Sequence, residues 1–149
     1  MTAHADRKDL ARARMQRTGE TYTAASAALR AEWEEAERFH AKTVHTFFDG
    51  PRLRSIPARR KARVSVLFEL LRGFRAGRDY PEREVNEILR RAHDDVASLR
   101  RELVDYGLLE REAGVYRVPE EPPGRDPRFA EDLLADHDHR FRRTVRAGE

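Results

Sequence analysis

Basic side chains cluster between Pro51 and Arg63, and no acidic residue interrupts them. Six like charges repel one another unless a polyanion neutralises them, and a phosphate backbone does so while releasing its counterions. The planar guanidinium of arginine also matches the geometry of a phosphate better than an ammonium group does. The run therefore indicates a nucleic-acid contact, with a solvated helix face as the alternative. Its members are Arg52, Arg54, Arg59, Arg60, Lys61 and Arg63.

A second polar set lies on a predicted helix that begins near Asp94 or Asp95. Its apolar residues recur at helical spacing and define a buried face, so the polar side chains point outward. The contact of an arginine with guanine is the commonest base-specific contact. Ser98 and Arg101 are three residues apart, so they are neighbours on the helix surface. The two aspartates oppose a phosphate contact, so a surface that does not meet DNA is the alternative. The apolar residues are Val96, Leu99, Leu103 and Tyr106, and the candidate DNA contacts are His93, Ser98, Arg100 and Arg101.

A predicted β-hairpin follows, with its turn at Glu112-Ala113-Gly114. Two short runs with strand character on either side of a Gly-containing turn are typical of such a hairpin. Arg111 and Arg117 lie on its strands and are candidates for contact with DNA. Arg117 could instead pair with Glu110 or Glu112 across the hairpin, where a surface ion pair contributes little.

Catalytic and metal-binding patterns are weak. His137-Asp138-His139 places two imidazoles two residues apart, whereas metal-binding histidines on a helix normally recur four apart. The chain has no cysteine, no Gly-rich phosphate loop and no nucleophile motif, and no set of nucleophile, base and orienting group can be assembled. We therefore expect a protein that is not an enzyme and that has no cofactor and no bound metal.

Charge is unevenly distributed over the 149 residues, which carry a net charge of +3. Residues 1–50 are neutral, residues 51–118 carry +5 and residues 119–149 carry −2. The basic excess thus lies in the middle of the chain. The sequence has neither an apolar run of about 20 residues, which a membrane span needs, nor the apolar stretch of a signal peptide. We therefore expect a cytoplasmic protein without a membrane partner.

The predicted elements divide the chain into three regions. Residues 1–50 form an N-terminal helical region, and residues 119–149 form a Pro-rich linker with a short helix to about Ala135 and a mobile end from Arg140. Residues 51–118 comprise a helix with Pro57 in its first turn, a helix that starts at Pro81, a third helix, and the hairpin. This order predicts a mainly α fold, a winged helix-turn-helix of three helices plus a β-hairpin wing.

The N-terminal helix, predicted over Thr23–Phe48, has more apolar surface than one short partner helix can cover. It carries Trp33, Phe39, Val44, Phe47 and Phe48. We consider two explanations: the helix forms a homodimer seam that pairs two wings on DNA, or it packs on the middle region of its own chain.

Three segments resemble an uncharacterised bacterial family, a domain of unknown function. They are FFDGPRLRSIPARRKARVSVL, YPEREVNEIL and HDDVASLRRELVDYGLLEREAGVYRV, and the resemblance covers roughly residues 47–118. Members of the family occur in proteins described as transcriptional regulators, which implies a winged helix but no established activity. The family usually has Thr or Ser before the glutamate of the second helix, whereas this chain has Pro81, which changes the cap and not the helix.

The leading hypothesis is a transcriptional regulator that binds double-stranded DNA. Two alternatives remain open. One is a protein–protein adaptor that uses the winged helix without nucleic acid, and the other is a basic protein associated with RNA or the ribosome. Salt-dependent binding to a DNA duplex distinguishes the transcriptional regulator from the adaptor. Preference for structured RNA over duplex DNA identifies the RNA-associated protein.

Overall fold

The computed structural model describes residues 3–124 and 126–147. It begins with a helical hairpin made of α1 (Ala3–Thr18) and α2 (Tyr22–Phe47). Gly19 ends α1 with a φ of +76°, a conformation that glycine adopts without steric cost. The hydroxyl of Thr21 caps α2 by accepting the N–H of Ala24 at 3.2 Å.

A two-stranded turn connects this hairpin to the middle of the chain. Strand β1 (Phe48–Asp49) pairs antiparallel with β2 (Arg52–Leu53), and α3 (Arg60–Leu71) follows. The prediction that Pro57 lies in the first turn of α3 was wrong. The helix begins three residues later because Arg59, its N-cap, has extended backbone angles.

The rest of the middle region combines two helices with a small sheet. In chain order the elements are β3 (Tyr80–Pro81), α4 (Glu82–Arg90), α5 (Val96–Asp105), β4 (Glu110–Glu112) and β5 (Val115–Arg117). The antiparallel sheet has the order β3-β5-β4, so the strand before α4 pairs with the last strand of the hairpin. Ala113 and Gly114 both have positive φ, as a two-residue type I′ turn requires.

The core forms around α3, which is buried on nearly every side. Its fully buried side chains include Val66, Leu67 and Phe68. Helix α3 contacts α2, α5 and α6 (His137–Ala147), and this surrounds it with apolar partners. The predicted buried face of α5 belongs to this core: Val96, Leu99 and Leu103 are buried in it, and Tyr106 is partly buried against it.

The C-terminal segment folds back onto the core, contrary to expectation. A short 3₁₀ helix (Pro127–Phe129) replaces the predicted helix to Ala135, and α6 covers much of the end that was predicted to be mobile. Arg140 is 2% exposed and Phe141 is 1% exposed. The prediction failed because contacts with distant parts of the chain hold α6 in place, and local sequence does not record such contacts.

The fold is therefore mainly helical, with six α-helices and two small antiparallel sheets in the described residues. Within those same residues, no helix is both long enough and apolar enough to cross a membrane.

Candidate nucleic-acid interface

Arg52, the first residue of the basic run, contacts the connection between α4 and α5. Its Nη1 donates to the carbonyl oxygen of Arg90 at 2.9 Å, and its Nη2 lies 3.6 Å from a carboxylate oxygen of Asp94. The N–H of Leu53 also donates to the carbonyl of Ala92 at 2.8 Å. Strand β2 is therefore attached to the turn that separates the two helices.

Two further members of the run contact neighbouring helices. Arg63 Nε lies 3.2 Å from Glu102 Oε1, and about a quarter of each side chain is exposed, so the pair connects α3 to α5. Burial raises the pKa of Glu102, and Arg63 opposes that shift. The ammonium of Lys61 lies 4.8 Å from the ring centre of Phe39, a cation–π contact between α3 and α2. Arg63 and Lys61 thus have evident packing roles.

The other three members of the basic run are exposed. One directly follows β2, and the other two are the N-cap and the first residue of α3. They are Arg54, Arg59 and Arg60. Among the described residues, their side chains make no hydrogen bond and no ion pair within 4.0 Å. These three cations therefore remain available to a polyanion.

At the start of α5, two of the sequence candidates take part in the helix cap. Asp95 accepts the backbone N–H of Ser98 at 3.2 Å, and hydrogen bonds from Ser98 lower the pKa of this carboxyl group. His93 Nδ1 in turn accepts the N–H of Asp95 at 3.0 Å. Of the two residues predicted as the start of this helix, Asp95 is thus the cap, and His93 and Ser98 support the helix end.

Arg100 and Arg101 lie in different environments although they are neighbours. Arg100 hydrogen-bonds to Asn86 on α4, and its Nε lies 3.6 Å from Glu82 Oε1. Arg101 is exposed and has no ion pair within 4.0 Å in the described parts of the chain. It shares the exposed face of α5 with Ala97 and Asp105, each four residues away.

The hairpin arginines also have acidic neighbours. Arg111 lies over the ring of Tyr116 at 5.7 Å and within 4.0 Å of Glu82, which accepts the hydroxyl of Tyr116 at 2.8 Å. Arg117 pairs with Asp79 at 3.0 Å and not with Glu110 or Glu112. Asp79 reaches Arg117 because it immediately precedes β3, which is the strand that pairs with β5.

The aromatic side chains of α2 find partners within the chain. Trp33 stacks on His139 with ring centres 4.7 Å apart and planes 9° apart, Phe39 contacts Lys61, and Phe47 packs against the core. Phe39 and Phe47 thus pack on the middle region of the chain, as the second explanation for the apolar surface states, whereas Trp33 packs on α6. The homodimer through Thr23–Phe48 stays a prediction. The aromatic surface that suggested it is occupied by contacts within the chain.

The histidines of the His137-Asp138-His139 segment lie in aromatic contacts. His137 is buried with its ring edge-on to Phe68 at 5.1 Å, and His139 stacks on Trp33. No group of three or more potential metal ligands occurs in the described residues.

A polar cluster that the sequence did not reveal connects α2 with α6. Arg140 Nη2 lies 2.8 Å from both Asp136 Oδ2 and Glu37 Oε2, and Arg143 donates to the same Glu37 oxygen at 2.9 Å. Asp136 and Arg140 are both buried. The two arginines oppose the effect of burial and lower the pKa of Glu37 to about 2. The i,i+4 spacing of Asp136 and Arg140 was a visible signal, but their burial was not.

His40, beside this cluster, makes stability depend on pH. Burial, followed by the nearby Arg140 charge, lowers its pKa from 6.5 to about 4, while Glu37 and Asp136 act in the opposite direction. The unfolded chain therefore takes up a proton first as the pH falls. Stability is complete above about pH 6.5 and decreases towards about pH 4.

We expect the free energy of unfolding to fall by about 1–2 kcal/mol between about pH 7 and pH 5 because of His40. Urea denaturation at both pH values measures this loss. His40→Gln should reduce the loss, whereas His45→Gln, at an exposed position of the same helix, should retain it. Equal pH dependence in His40→Gln and the wild-type protein would contradict a neutral, buried His40.

Comparison with known proteins confirms the family resemblance. Residues 52–118 match the model of a family described as "Uncharacterized protein conserved in bacteria (DUF2087)". The match covers β2 to β5 and excludes α1, α2 and α6. No curated protein and no solved structure matches the chain significantly.

Proposed function

We propose that residues 51–118 form a winged helix that binds double-stranded DNA, and that the protein is a transcriptional regulator. The observation that carries the proposal is the element order α3-β3-α4-α5-β4-β5 with a sheet of order β3-β5-β4. In this arrangement α4 and α5 form the helix pair, α5 is the candidate recognition helix, and the hairpin is the wing. The family match supports a separate domain in this region but brings no activity.

The charge distribution supports two kinds of contact. Arg54, Arg59 and Arg60 are exposed without ion pairs among the described residues, as phosphate-binding side chains should be. Arg101 is the corresponding cation on the outer face of α5, where a guanidinium can bind guanine in the major groove. Phosphate contacts set affinity and its salt dependence, and the Arg101 contact would set sequence preference.

A protein partner in place of DNA is the second candidate function. The specific observation in its favour is that Arg52, Arg63, Arg100, Arg111 and Arg117 lie close to carboxylates within the chain. These carboxylates weaken the positive potential of the surface. Asp105 also shares the outer face of α5 with Arg101, where it would repel DNA phosphates.

The test separates the two kinds of DNA contact. A preferred duplex is first selected from a random library with the wild-type protein, and binding to it is compared with binding to a scrambled duplex. Arg101→Ala should lose about 1–3 kcal/mol of binding to the selected duplex and little to the scrambled one. Arg59→Ala/Arg60→Ala should weaken both equally and reduce the magnitude of the salt slope by about 0.9 per lost phosphate contact.

Arg30→Ala is the matched control, because Arg30 is an exposed cation on α2 outside the proposed domain. It should leave binding unchanged. If Arg101→Ala weakens both duplexes equally, Arg101 contacts phosphate and α5 does not read bases. If the wild-type protein binds neither duplex at low salt, the DNA-binding proposal is wrong and the protein-partner function takes its place.

A further inference from the structure

A groove of about 570 Å³ lies between α2, α3 and α6. Each helix contributes one face to it. Glu37, His40, Ala41 and Val44 recur on α2 at helical spacing, and Arg143 lies on α6. The volume lies within the range of about 300–1,000 Å³ that is usual for small-molecule sites. No contact described for the DNA surface involves this groove.

The rim of the groove holds two acid–base pairs. Arg143 Nη2 donates to Glu37 Oε2 at 2.9 Å, and Arg72 Nη1 donates to Glu69 Oε1 at 2.7 Å. Each guanidinium has five N–H donors, so most of them find no hydrogen-bond partner in the described residues. Glu37 Oε1 likewise accepts no hydrogen bond from the described residues, and Glu69 Oε2 is 3.9 Å from His40 Nε2, too far for one.

Charge in the groove is close to balanced. Arg72 and Arg143 face Glu37 and Glu69, and the third arginine, Arg140, is neutralised by its buried partner Asp136. His40 is neutral near pH 7, since its pKa is lowered to about 4. A simple anion or a simple cation would therefore satisfy one half of the rim and be repelled by the other.

Apolar side chains line the groove beneath the charged rim. Ala41, which is exposed, and Val44, which is partly exposed, provide this surface on α2, and the buried Phe68 of the core closes the groove behind them. An apolar wall with a few polar groups above it is the usual composition of a small-molecule site. A fitting ligand thus combines an acceptor, a donor and an apolar portion.

We propose that this groove binds a small zwitterion with an apolar side chain, of the α-amino acid class. Its carboxylate accepts hydrogen bonds from Arg143 and Arg72, and its ammonium donates to the unused oxygens of Glu37 and Glu69. Its side chain lies against Ala41 and Val44 of α2. Both ends then form charge-assisted hydrogen bonds, which are the strong class of such bonds. The inference goes beyond DNA binding and does not depend on it.

Titration of the ¹⁵N-labelled full chain with three related probes tests the charge requirement. L-phenylalanine carries both charges, N-acetyl-L-phenylalanine only the negative one and L-phenylalaninamide only the positive one. We expect L-phenylalanine at millimolar concentration to shift amide resonances at the groove positions of α2 and α6. The two single-charge probes should bind at least about tenfold more weakly, which is about 1.4 kcal/mol.

Three variants test the location. Arg143→Gln should weaken binding of L-phenylalanine about tenfold, or about 1.4 kcal/mol. Ala41→Leu, at an exposed position on the groove wall, should weaken binding about tenfold, or about 1.4 kcal/mol, by narrowing the groove while circular dichroism shows a folded protein. Arg83→Gln, an exposed cation on α4 outside the groove, is the matched control and should bind normally.

Several outcomes would overturn the inference. Equal binding of N-acetyl-L-phenylalanine would identify an anion site, and equal binding of the amide would identify a cation site. Unchanged binding in folded Ala41→Leu would place the ligand elsewhere. The absence of any shift at the groove positions with L-phenylalanine would show that the groove does not bind this class.

Discussion

Replacing Arg140 by methionine is expected to destabilise the protein by about 3–5 kcal/mol, because the substitution leaves the carboxylate of Asp136 buried without its partner. Asp136 is 4% exposed and Arg140 is 2% exposed, so water does not readily compensate for the lost charge. The measurement is urea denaturation at neutral pH. The same variant should loosen α6, because Arg140 also connects that helix to Glu37 on α2.

Two controls separate a buried charge from a general effect on α6. Arg143→Met removes a half-exposed arginine that binds the same Glu37 oxygen, and it should cost no more than about 1 kcal/mol. Arg140→Met/Asp136→Leu should recover most of the stability lost in Arg140→Met, since no unpaired buried charge remains. If Arg140→Met is as stable as Arg143→Met, Asp136 is accessible to water and the packing of α6 described above is incorrect.

Phe68→Ala is expected to cost about 3–5 kcal/mol, the usual range for truncating a buried phenylalanine. Phe68 is 1% exposed in the middle of α3, and it contacts the ring of His137 at 5.1 Å. Its loss therefore opens a cavity between the family-matched region and the C-terminal segment. Thermal and urea unfolding, followed by circular dichroism, provide the measurement.

Tyr22→Ala is the control for this substitution, because Tyr22 is an aromatic residue of α2 that is 38% exposed. It should change the stability by only about 0.5 kcal/mol. Phe68→Leu should fall between Phe68→Ala and the wild-type protein, since it restores most of the lost volume. A loss in Phe68→Ala no larger than that in Tyr22→Ala would show that α6 does not close over α3.

Local signals predicted much of the middle region. The apolar residues of α5 identify its buried face because helical periodicity places such residues on one side. Asp95 as the cap of α5 follows from the hydrogen-bonding preference of a single residue. The same reasoning failed at Pro57. Proline is tolerated in the first turn of a helix, but α3 begins three residues later, at Arg60.

The candidate DNA surface was predicted only as a set of residues. Sequence placed Arg54, Arg59, Arg60 and Arg101 among twelve candidates, without a means of separating them from the others. The structure distinguishes the candidates that have an ion-pair partner from those that have none. Glu102 pairs with Arg63, Glu82 with Arg100 and Asp79 with Arg117, and these pairs form only after the helices and strands have packed.

The sequence by itself determined the helical nature of residues 1–50, the two helices before the hairpin, the hairpin with its Gly-containing turn and the basic centre of the chain, because each depends on neighbouring residues. Only the tertiary structure decided the position of α6, the burial of Arg140 and the groove between α2, α3 and α6. Glu37 and Arg140 are 103 residues apart in the chain, yet their side chains lie 2.8 Å apart. Such a contact depends on the packing of whole helices, and no local pattern of residues encodes it.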